Sequence, residues 1–578
     1  MLISNEFLAG VVAMYDLVIK NGYVIDGSGS PRFAADVGVK DGKIVKIGRI
    51  NERAQRSIDA GGQVVSPGFV DGHTHMDAQI FWDPLGSCSC YHGVTTVIMG
   101  NCGFTLAPCA AKDADFVFRN LERAEDLSRD AMKAGIEWRW ETFREYLDVL
   151  DSLPKGINYG GYIGHSALRT YVMGERAFSE QATADEMKRM QHEVQDAVRA
   201  GAIGFSTSRT YNHQTADDRP VASRIADWAE VRAIVNAMGQ TGAGIFELAG
   251  ESPGRSPQRI KDYFDRLTQL AVESGCPVTF GMPSLRIAPD VWPAYYELAN
   301  EVAKAGGRMF VQTHSRSIST LLSFKSRMPF DGWEVWRDIR AKPLAEQQAL
   351  MRDPSIKRKL VEIAAAPYDG PEIVGAEARP PEWEWFYYMK GIGDEALLSD
   401  IASRRNVHPA EAMIDIGLET DFNAFFRQPL ANEDQDHVLT MMKHPRSVVT
   451  FSDSGAHVAQ IMDSSLQTHL LSHWVRDKQA FTLEEAVRLI THDTSTAWGL
   501  YDRGMVREGL NADLVIFDPD TIDQNMPELV NDLPAGAQRL KQTARGISAT
   551  IVNGEVLLEN NVPTGNLPGK LVRGPLAR

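Results

Sequence analysis

Eight short apolar runs constrain the fold of the middle of the chain more than any other feature of the sequence. Most of them are followed by a longer stretch whose apolar residues recur at intervals of three and four, as in residues 184–198, which is the period of an amphipathic helix. Eight strands that alternate with helices predict an α/β fold built on a parallel (β/α)8 barrel of the TIM type. The runs end at or near His75, Cys102, His165, Ser208, Ala249, Met282, His314 and Asp453.

The two ends of the chain show a different pattern, in which short strands are separated by Asn-Gly and Asp-Gly pairs. Such pairs between apolar alternations predict hairpin turns, here at Asn21-Gly22, Asp41-Gly42 and Asn553-Gly554. We therefore expect residues 15–65 and 505–578 to form one split β-sandwich domain around a barrel at 66–504. Residues 1–13 are predicted to be an upstream start, because Met14-Tyr15-Asp16 opens a strand-like segment directly.

Residues 321–447 are too many for one crossover between barrel strands, so we expect an inserted helical subdomain at about 325–445. It includes a predicted helical run over residues 396–418 and an aromatic cluster at residues 381–388. Long insertions over an active site often act as lids. The aromatic side chains either line a substrate pocket or pack the insert onto the barrel.

The charge balance argues against several classes of partner. The 578 residues carry a net charge of −16 with no basic run, which disfavours nucleic acid and anionic membrane surfaces. No apolar stretch is long enough to span a bilayer, and the first residues lack a basic region. We expect a cytoplasmic protein that acts on a small molecule, and a homo-oligomer is compatible with this composition.

The five cysteines are too few for a disulfide framework. Cys88 and Cys90 are either a redox or metal pair or two small buried side chains. Cys102 ends the second apolar run, so it would reach the same edge of the sheet as the end of the first run. A thiolate at that position is a good zinc ligand.

His73-Thr74-His75 at the end of the first run predicts a metal site. In extended backbone the side chains of residues i and i+2 point the same way, so both imidazoles face one point. Imidazole suits zinc and similar ions. Asp453 at the end of the last run would face the same point, where a carboxylate can bind the ion and take a proton from water. The alternative for Asp453 is capping of the next helix.

Several motifs together resemble the D-aminoacylase (N-acyl-D-amino-acid deacylase) branch of the amidohydrolase superfamily. They lie at residues 67–75, 93–103, 164–169, 201–207, 452–453 and 500–514. The resemblance covers nearly the whole chain, and it implies zinc-dependent hydrolysis of an amide. It also implies that His73 and His75 are metal ligands, that Cys102 holds the position of the metal-bridging cysteine, and that Asp453 is both a ligand and the general base.

The sequence departs from that branch at the ends of strands five and six, where the branch carries histidine ligands. The corresponding segments read Phe246-Glu247-Leu248 and Phe280-Gly281-Met282. Glu247 either replaces a ligand or forms a salt bridge at the rim. The strand-six lysine that helps to hold the substrate carboxylate is also absent, with Ser284 nearest. We expect one firmly held divalent ion, with Cys102 or Glu247 completing its ligands.

Four further side chains are candidates for substrate binding. Arg169 either pairs with a substrate carboxylate or is a buried structural residue, and His165 precedes it in the same segment. His314 is a metal ligand, a transition-state stabiliser or a hydrogen-bonded rim residue. His457 contacts the substrate or caps and packs.

These observations predict a metal-dependent hydrolase that uses activated water to cleave the C–N bond of an N-acyl amino acid or a related hydrophobic or aromatic amide. Two alternatives stay open. One is hydrolysis of a cyclic amide or a formamide, and the other is a non-catalytic binding protein of the same fold. The missing strand-six lysine and the aromatic insert favour bulky apolar amides over small N-acetyl amino acids.

Overall fold

The computed structural model describes residues 14–577 except 369, 371, 372, 375, 376 and 378. The predicted upstream start, residues 1–13, lies outside the described residues. None of the described helices is long and apolar enough to cross a membrane. The strands are β1 (Tyr15–Val24), β2 (Phe33–Lys40), β3 (Lys43–Gly48), β4 (Ala54–Asp59), β5 (Val64–Pro67), β6 (Phe69–Asp71), β7 (Val94–Met99), β8 (Asn158–Gly164), β9 (Gly204–Ser208), β10 (Ile245–Ala249), β11 (Val278–Gly281), β12 (Met309–Thr313), β13 (Ile318–Leu322), β14 (Tyr387–Gly391), β15 (Asp394–Leu397), β16 (Phe425–Ala431), β17 (Ser447–Val449), β18 (Leu514–Phe517), β19 (Asp523–Gln524), β20 (Glu528–Val530), β21 (Arg539–Lys541), β22 (Ala544–Arg545), β23 (Ile547–Val552), β24 (Glu555–Glu559) and β25 (Val562–Pro563). The α-helices are α1 (Ala114–Ala124), α2 (Arg129–Gly135), α3 (Phe143–Ser152), α4 (His165–Met173), α5 (Ala184–Ala200), α6 (Ala222–Ile225), α7 (Trp228–Gly239), α8 (Pro257–Ser274), α9 (Val291–Lys304), α10 (Glu334–Arg340), α11 (Leu344–Arg352), α12 (Pro354–Ala365), α13 (Leu398–Arg405), α14 (Pro409–Glu419), α15 (Gln435–Met442), α16 (Leu466–His469), α17 (Leu483–Leu489) and α18 (His492–Ala497), and a π-helical segment spans Leu470–Asp477.

The predicted parallel strands form one curled eight-stranded sheet. Its order is β6-β7-β8-β9-β10-β11-β12-β17, and every neighbouring pair is parallel. Each of the eight apolar runs contributes a strand, which confirms that prediction. The loops after the first and last strands meet, because the backbone N–H of His75 donates to the carbonyl of Ser454 at 2.7 Å.

The helix predicted at residues 184–198 is α5, and it shows why these segments are helical. Thr183 and Glu186 form a capping box at its start, which satisfies two free backbone N–H groups. Gly201 ends the helix with a φ of 119°, a conformation that glycine adopts at little cost. Its buried residues, among them Met190 and Val194, belong to the main apolar cluster, and the helix packs beside α7.

Strands from both ends of the chain share one nine-stranded sheet. Its main path is β25-β24-β23-β18-β5-β1-β2-β3, and β4 pairs with β1. The first apolar run is divided at Gly68, so that Val64–Pro67 belongs to this sheet and only Phe69–Asp71 to the parallel one. A β-carbon at Gly68 would lie 2.2 Å from the hydroxyl oxygen of Thr95, so this crossing point requires glycine.

The turn predictions at the two ends were met in two of three cases. Asp41-Gly42 joins β2 to β3 and Asn553-Gly554 joins β23 to β24, as expected. The prediction at Asn21-Gly22 was wrong, because β1 continues through it with an irregularity in its register against β2. Asn21 has a φ of 55°, and the register shift at this point of the pairing with β2 indicates a β-bulge.

Between β12 and β17 the chain forms a second apolar cluster with its own sheet, ordered β13-β16-β14-β15. The predicted helical run over 396–418 consists of two helices, α13 and α14, because Asn406 adopts a left-handed conformation and Pro409 begins a new helix. Aromatic side chains pack inside this cluster, with Trp383 5.6 Å from Phe386 between ring centres. Packing, rather than a substrate pocket, accounts for that part of the aromatic cluster.

Candidate metal centre

Four predicted ligand residues converge where the first, second and last strands of the parallel sheet end. Nε2 of His73 lies 3.2 Å from Oδ1 of Asp453, and Nε2 of His75 lies 3.5 Å from the same oxygen. The Cys102 sulfur is 3.6 Å from Nε2 of His73. The donor atoms of His73, His75 and Cys102 all lie within 4.8 Å of one another, and the three side chains are buried.

Unusual backbone conformations bring these side chains together. Cys102 has a φ of 56° between Gly100 and Gly103, whose φ values are 79° and 78°. This turn directs the backbone N–H of Cys102 to Oε2 of Glu247 at 2.6 Å. Asp453 also has a positive φ, of 51°. Left-handed conformations of non-glycine residues cost free energy and persist only where surrounding contacts fix them, commonly at functional sites.

Gln312 on β12 fixes the orientation of His73, and sequence reasoning missed it. The Nδ1–H of His73 donates to the amide oxygen of Gln312 at 2.6 Å, and the Gln312 amide nitrogen donates to Thr279 at 3.1 Å. Since Nδ1 carries the proton, the lone pair of Nε2 is free to bind a metal. A partner of this kind raises the basicity of a ligating imidazole and holds its ring in place.

Glu125, at the end of α1, is a further carboxylate of the cluster that the sequence did not indicate. Its side chain is 3% exposed, and Oε2 lies 3.5 Å from Nε2 of His75. Oε1 is buried without a hydrogen-bond partner. Glu125 follows an amphipathic helix rather than an apolar strand-like run, so no periodicity placed it at the edge of the sheet.

The electrostatics of the cluster favour a cation. Burial raises the pKa of Glu247 to about 7. Burial, together with the neighbouring acidic groups, also raises the pKa of Glu125 and the pKa of Cys102 well above their ordinary values. Burial lowers the pKa of His73, but Asp453 and Glu247 raise it by more, so that its net shift is upward. A divalent ion would offset this excess of acidic groups, and the nitrogen, sulfur and oxygen donors suit zinc.

The cluster opens into a cavity of about 280 Å³. Beside the metal-centre residues, His213 and His457 reach it, and Nδ1 of His213 is 2.8 Å from the Ser208 hydroxyl. No lysine or arginine is among the described residues that line it. The lining consists of His73, His75, Cys102, Ala124, Glu125, Thr210, Asn212, His213, Glu247, Leu248, Ala249, Gly250, Gly281, Pro283, Phe451, Asp453 and His457.

His165 and Arg169, two of the candidates for substrate binding, lie outside the cavity lining. Nδ1 of His165 is 2.8 Å from the Thr207 hydroxyl, and Nε2 is 2.8 Å from a carboxylate oxygen of Glu230. Arg169 donates to the other Glu230 oxygen and to the Glu180 carbonyl. Both side chains are fully buried and already paired, which matches the structural alternative that the sequence left open for Arg169.

Replacement of Glu230 by alanine should destabilise the protein by about 3–5 kcal/mol, because it leaves the buried Arg169 charge without its partner. Chemical denaturation of Glu230→Ala measures this loss. Glu273→Ala is the control, since Glu273 pairs with the partly exposed Arg232 and exposed pairs contribute about 0–1 kcal/mol. Equal losses in the two variants would contradict the structural role.

His314 and His457 differ in their relation to the cavity. His314 is buried outside the lining, where its Nδ1 accepts from the backbone N–H of Arg316 at 3.1 Å. Its Nε2 lies 3.8 Å from a carboxylate oxygen of Asp463. These contacts match the hydrogen-bonded alternative for His314, and its role stays a prediction. His457 lines the cavity, and its Nε2 is 4.0 Å from Oε2 of Glu125.

Comparisons with known proteins agree with the architecture. Residues 56–558 match the amidohydrolase family. A D-aminoacylase of Alcaligenes xylosoxydans xylosoxydans is 27% identical over 572 residues, which cover 96% of this chain and 97% of that protein. The chain therefore belongs to the amidohydrolase family.

Two solved structures show the same fold over 97% of this chain, each with a TM-score of 0.64. One is the N-acyl-D-glutamate deacylase of Bordetella bronchiseptica, complexed with zinc and a phosphonate inhibitor that mimics the tetrahedral intermediate; it is 22% identical, and 99% of it is covered. The other is a D-aminoacylase with a binuclear metal centre, described by one-metal activation and second-metal attenuation; it is 24% identical and is covered completely.

Proposed function

We propose that this protein is a metal-dependent hydrolase that cleaves the C–N bond of an N-acyl amino acid or a related hydrophobic amide. The observation that carries the proposal is the convergence of the side chains of His73, His75, Cys102 and Asp453 at one end of the parallel sheet. The similarity to a D-aminoacylase and to a zinc-complexed deacylase supports both the reaction and the metal.

His73, His75, Cys102 and Asp453 would hold one divalent ion, with Glu247 as a further candidate. Such an ion lowers the pKa of a bound water and polarises the substrate carbonyl. Asp453 accepts the proton of the attacking water. Burial raises the pKa of Asp453, but His73 and His75 lower it by more, so this carboxylate is held in its ionised form. Asp453 then passes the proton to the departing nitrogen.

His457 and His213 are placed to contact the substrate, because both line the cavity beside the metal-centre residues. The Nδ1 of His213 is occupied by the Ser208 hydroxyl, so the other ring nitrogen remains for a ligand. Imidazole groups that line the same cavity as the metal-centre residues can orient the amide and hydrogen-bond its oxygen.

The proposed architecture is a (β/α)8 barrel at 66–504, a β-sandwich of residues 15–65 and 505–578, and an inserted subdomain at about 325–445. The shared sheet of the two termini supports the second domain. The separate apolar cluster between β12 and β17 supports the insert. The contact between the loops at His75 and Ser454 supports closure of the parallel sheet.

The proposal is tested by incubating the metal-loaded protein with linear N-acyl amino acids and their amides, a hydantoin and an N-substituted formamide. We expect release of an amine from the linear amides. Hydrolysis of the cyclic amide or the formamide alone would favour a different branch of the same chemistry. No hydrolysis by the loaded protein would favour a binding function.

The charge of the cavity predicts a preference among linear amides. In an N-acyl amino acid the carboxylate carbon is three bonds from the reacting carbonyl carbon. A lysine or arginine that pairs with this carboxylate would therefore have to line the cavity. The described lining has no lysine or arginine. Two arginines that follow strands of the parallel sheet are occupied: Arg169 in α4 pairs with Glu230, and Arg286 after β11 donates to Glu382 and Glu433.

We therefore expect N-acetyl-D-methionine amide to be hydrolysed with a kcat/KM at least about tenfold higher than that of N-acetyl-D-methionine, since juxtaposed like charges cost several kcal/mol. Bulky apolar acyl groups should raise kcat/KM for both the amide and the free acid, because burial of apolar surface contributes about 25 cal/mol per Å². A steady-state comparison of the two compounds at equal pH decides this. A higher kcat/KM for the free acid would contradict the preference for uncharged amides.

A further inference from the structure

We propose that Glu125 is a direct ligand of the divalent ion, and that it supplies the oxygen donor which the sequence suggested for Glu247. The inference rests on the proposed metal centre and deepens it. Glu125 belongs to the segment after β7, at the end of α1, so its carboxylate approaches the ion from a different element than the other donors.

The donor atoms are spaced as ligands of one ion. Two donors that are each about 2.0–2.3 Å from one zinc ion and subtend an angle of about 90–110° there lie about 2.8–3.8 Å from one another. The Cys102 to His73 contact is 3.6 Å, and Asp453 lies 3.2 Å from His73 and 3.5 Å from His75. The His75 to Glu125 contact, at 3.5 Å, continues this series. Glu125 is thus placed beside His75 as Cys102 is placed beside His73.

The carboxylate of Glu125 is buried, and one of its oxygens lacks a hydrogen-bond partner, whose place a cation could take. Its side chain is 3% exposed, and Oε1 is buried without a hydrogen-bond partner while the residue lines the cavity. A buried carboxylate without a counter-charge is costly unless it is paired or binds a metal. The adjacent Asp126 differs, because its carboxylate pairs with Arg327 and accepts from Gln460.

Glu247 is less well placed than Glu125 to bind the same ion. Its closest approach to a ligand histidine is 3.9 Å, to Nδ1 of His73. That nitrogen is already hydrogen-bonded to Gln312. Glu125 instead approaches Nε2 of His75, the nitrogen that faces Asp453. Glu247 accepts from the backbone N–H of Cys102, so it holds the turn that carries the cysteine.

The test is the affinity of the metal-free protein for Zn²⁺, measured by competition with a chromophoric chelator. Glu125→Gln should bind Zn²⁺ at least about tenfold more weakly than the parent, because loss of even an indirect partner of a ligand costs 10–100-fold. Glu125→Asp, which retains the charge, should bind more tightly than Glu125→Gln. The matched control is Glu122→Gln on the same helix, whose carboxylate pairs with Arg129 and which should leave the affinity unchanged.

Thermal unfolding separates a ligand from a residue that only maintains the fold. Without metal, Glu125→Gln should melt at or above the parent temperature, since it replaces a buried carboxyl group whose Oε1 has no hydrogen-bond partner. With Zn²⁺ its stabilisation should be smaller than that of the parent, because stabilisation by a ligand follows its affinity. Equal affinities for Glu125→Gln and Glu122→Gln, or a loss confined to Glu247→Gln, would overturn the assignment while leaving the proposed function intact. A parent protein that binds no Zn²⁺ would overturn both.

Discussion

Asp453→Asn should keep its fold and lower kcat by about 10²–10⁴-fold, which is the usual contribution of a positioned proton acceptor. The asparagine side chain has nearly the same shape, and its oxygen can still face His73 and His75, which lie 3.2 and 3.5 Å from Asp453. An amide cannot accept the proton of the attacking water. The loss should therefore appear in kcat more than in metal content.

The measurement is steady-state hydrolysis of the best amide substrate, with zinc content and far-ultraviolet circular dichroism recorded on the same samples. Asp262→Asn on the exposed face of α8 is the control, because its carboxylate only accepts from Gln258. Turnover of Asp453→Asn within a few-fold of this control would remove Asp453 from the mechanism.

Removal of the ion should lower the rate still further, by at least about a thousandfold, since polarisation and activation by a metal are worth several kcal/mol. Addition of Zn²⁺ to the chelated parent should restore the rate. The same addition to His75→Ala should not restore it, because this variant lacks an imidazole that faces both Asp453 and Glu125.

His192→Ala provides the control for the loss of an imidazole, since His192 lies on the surface of α5 with its side chain 69% exposed. It should bind Zn²⁺ and turn over like the parent. Full activity in the chelated protein, at a zinc content near zero, would show that the amide chemistry does not depend on the proposed centre.

Periodicity in the sequence predicted the elements that depend on local pattern. The short apolar runs predicted the strands of the parallel sheet, and the capping residues at the start of α5 agree with the predicted helix. The histidines were found because their spacing is itself geometric: residues 73 and 75 in extended backbone must face the same way. Cys102 and Asp453 followed from their positions at the ends of other runs.

Features that depend on distant partners escaped the same reasoning. Arg169 was a candidate for substrate binding because its partner, Glu230, is 61 residues further along the chain. Gln312 lies inside an apolar strand, and Glu125 follows an amphipathic helix, so neither carries a local signal of its place beside the histidines. Such contacts are set by the packing of the strands and not by the pattern within any one segment.

The most direct test of the central proposal is a crystal structure of the protein purified without chelators, with anomalous diffraction collected on both sides of the zinc absorption edge. We expect one strong anomalous peak per chain, about 2.0–2.3 Å from donor atoms of His73, His75 and Asp453. Two fully occupied peaks would contradict the prediction of a single firmly held ion. The absence of any peak, with these side chains turned away from a common centre, would contradict the metal-dependent hydrolase itself.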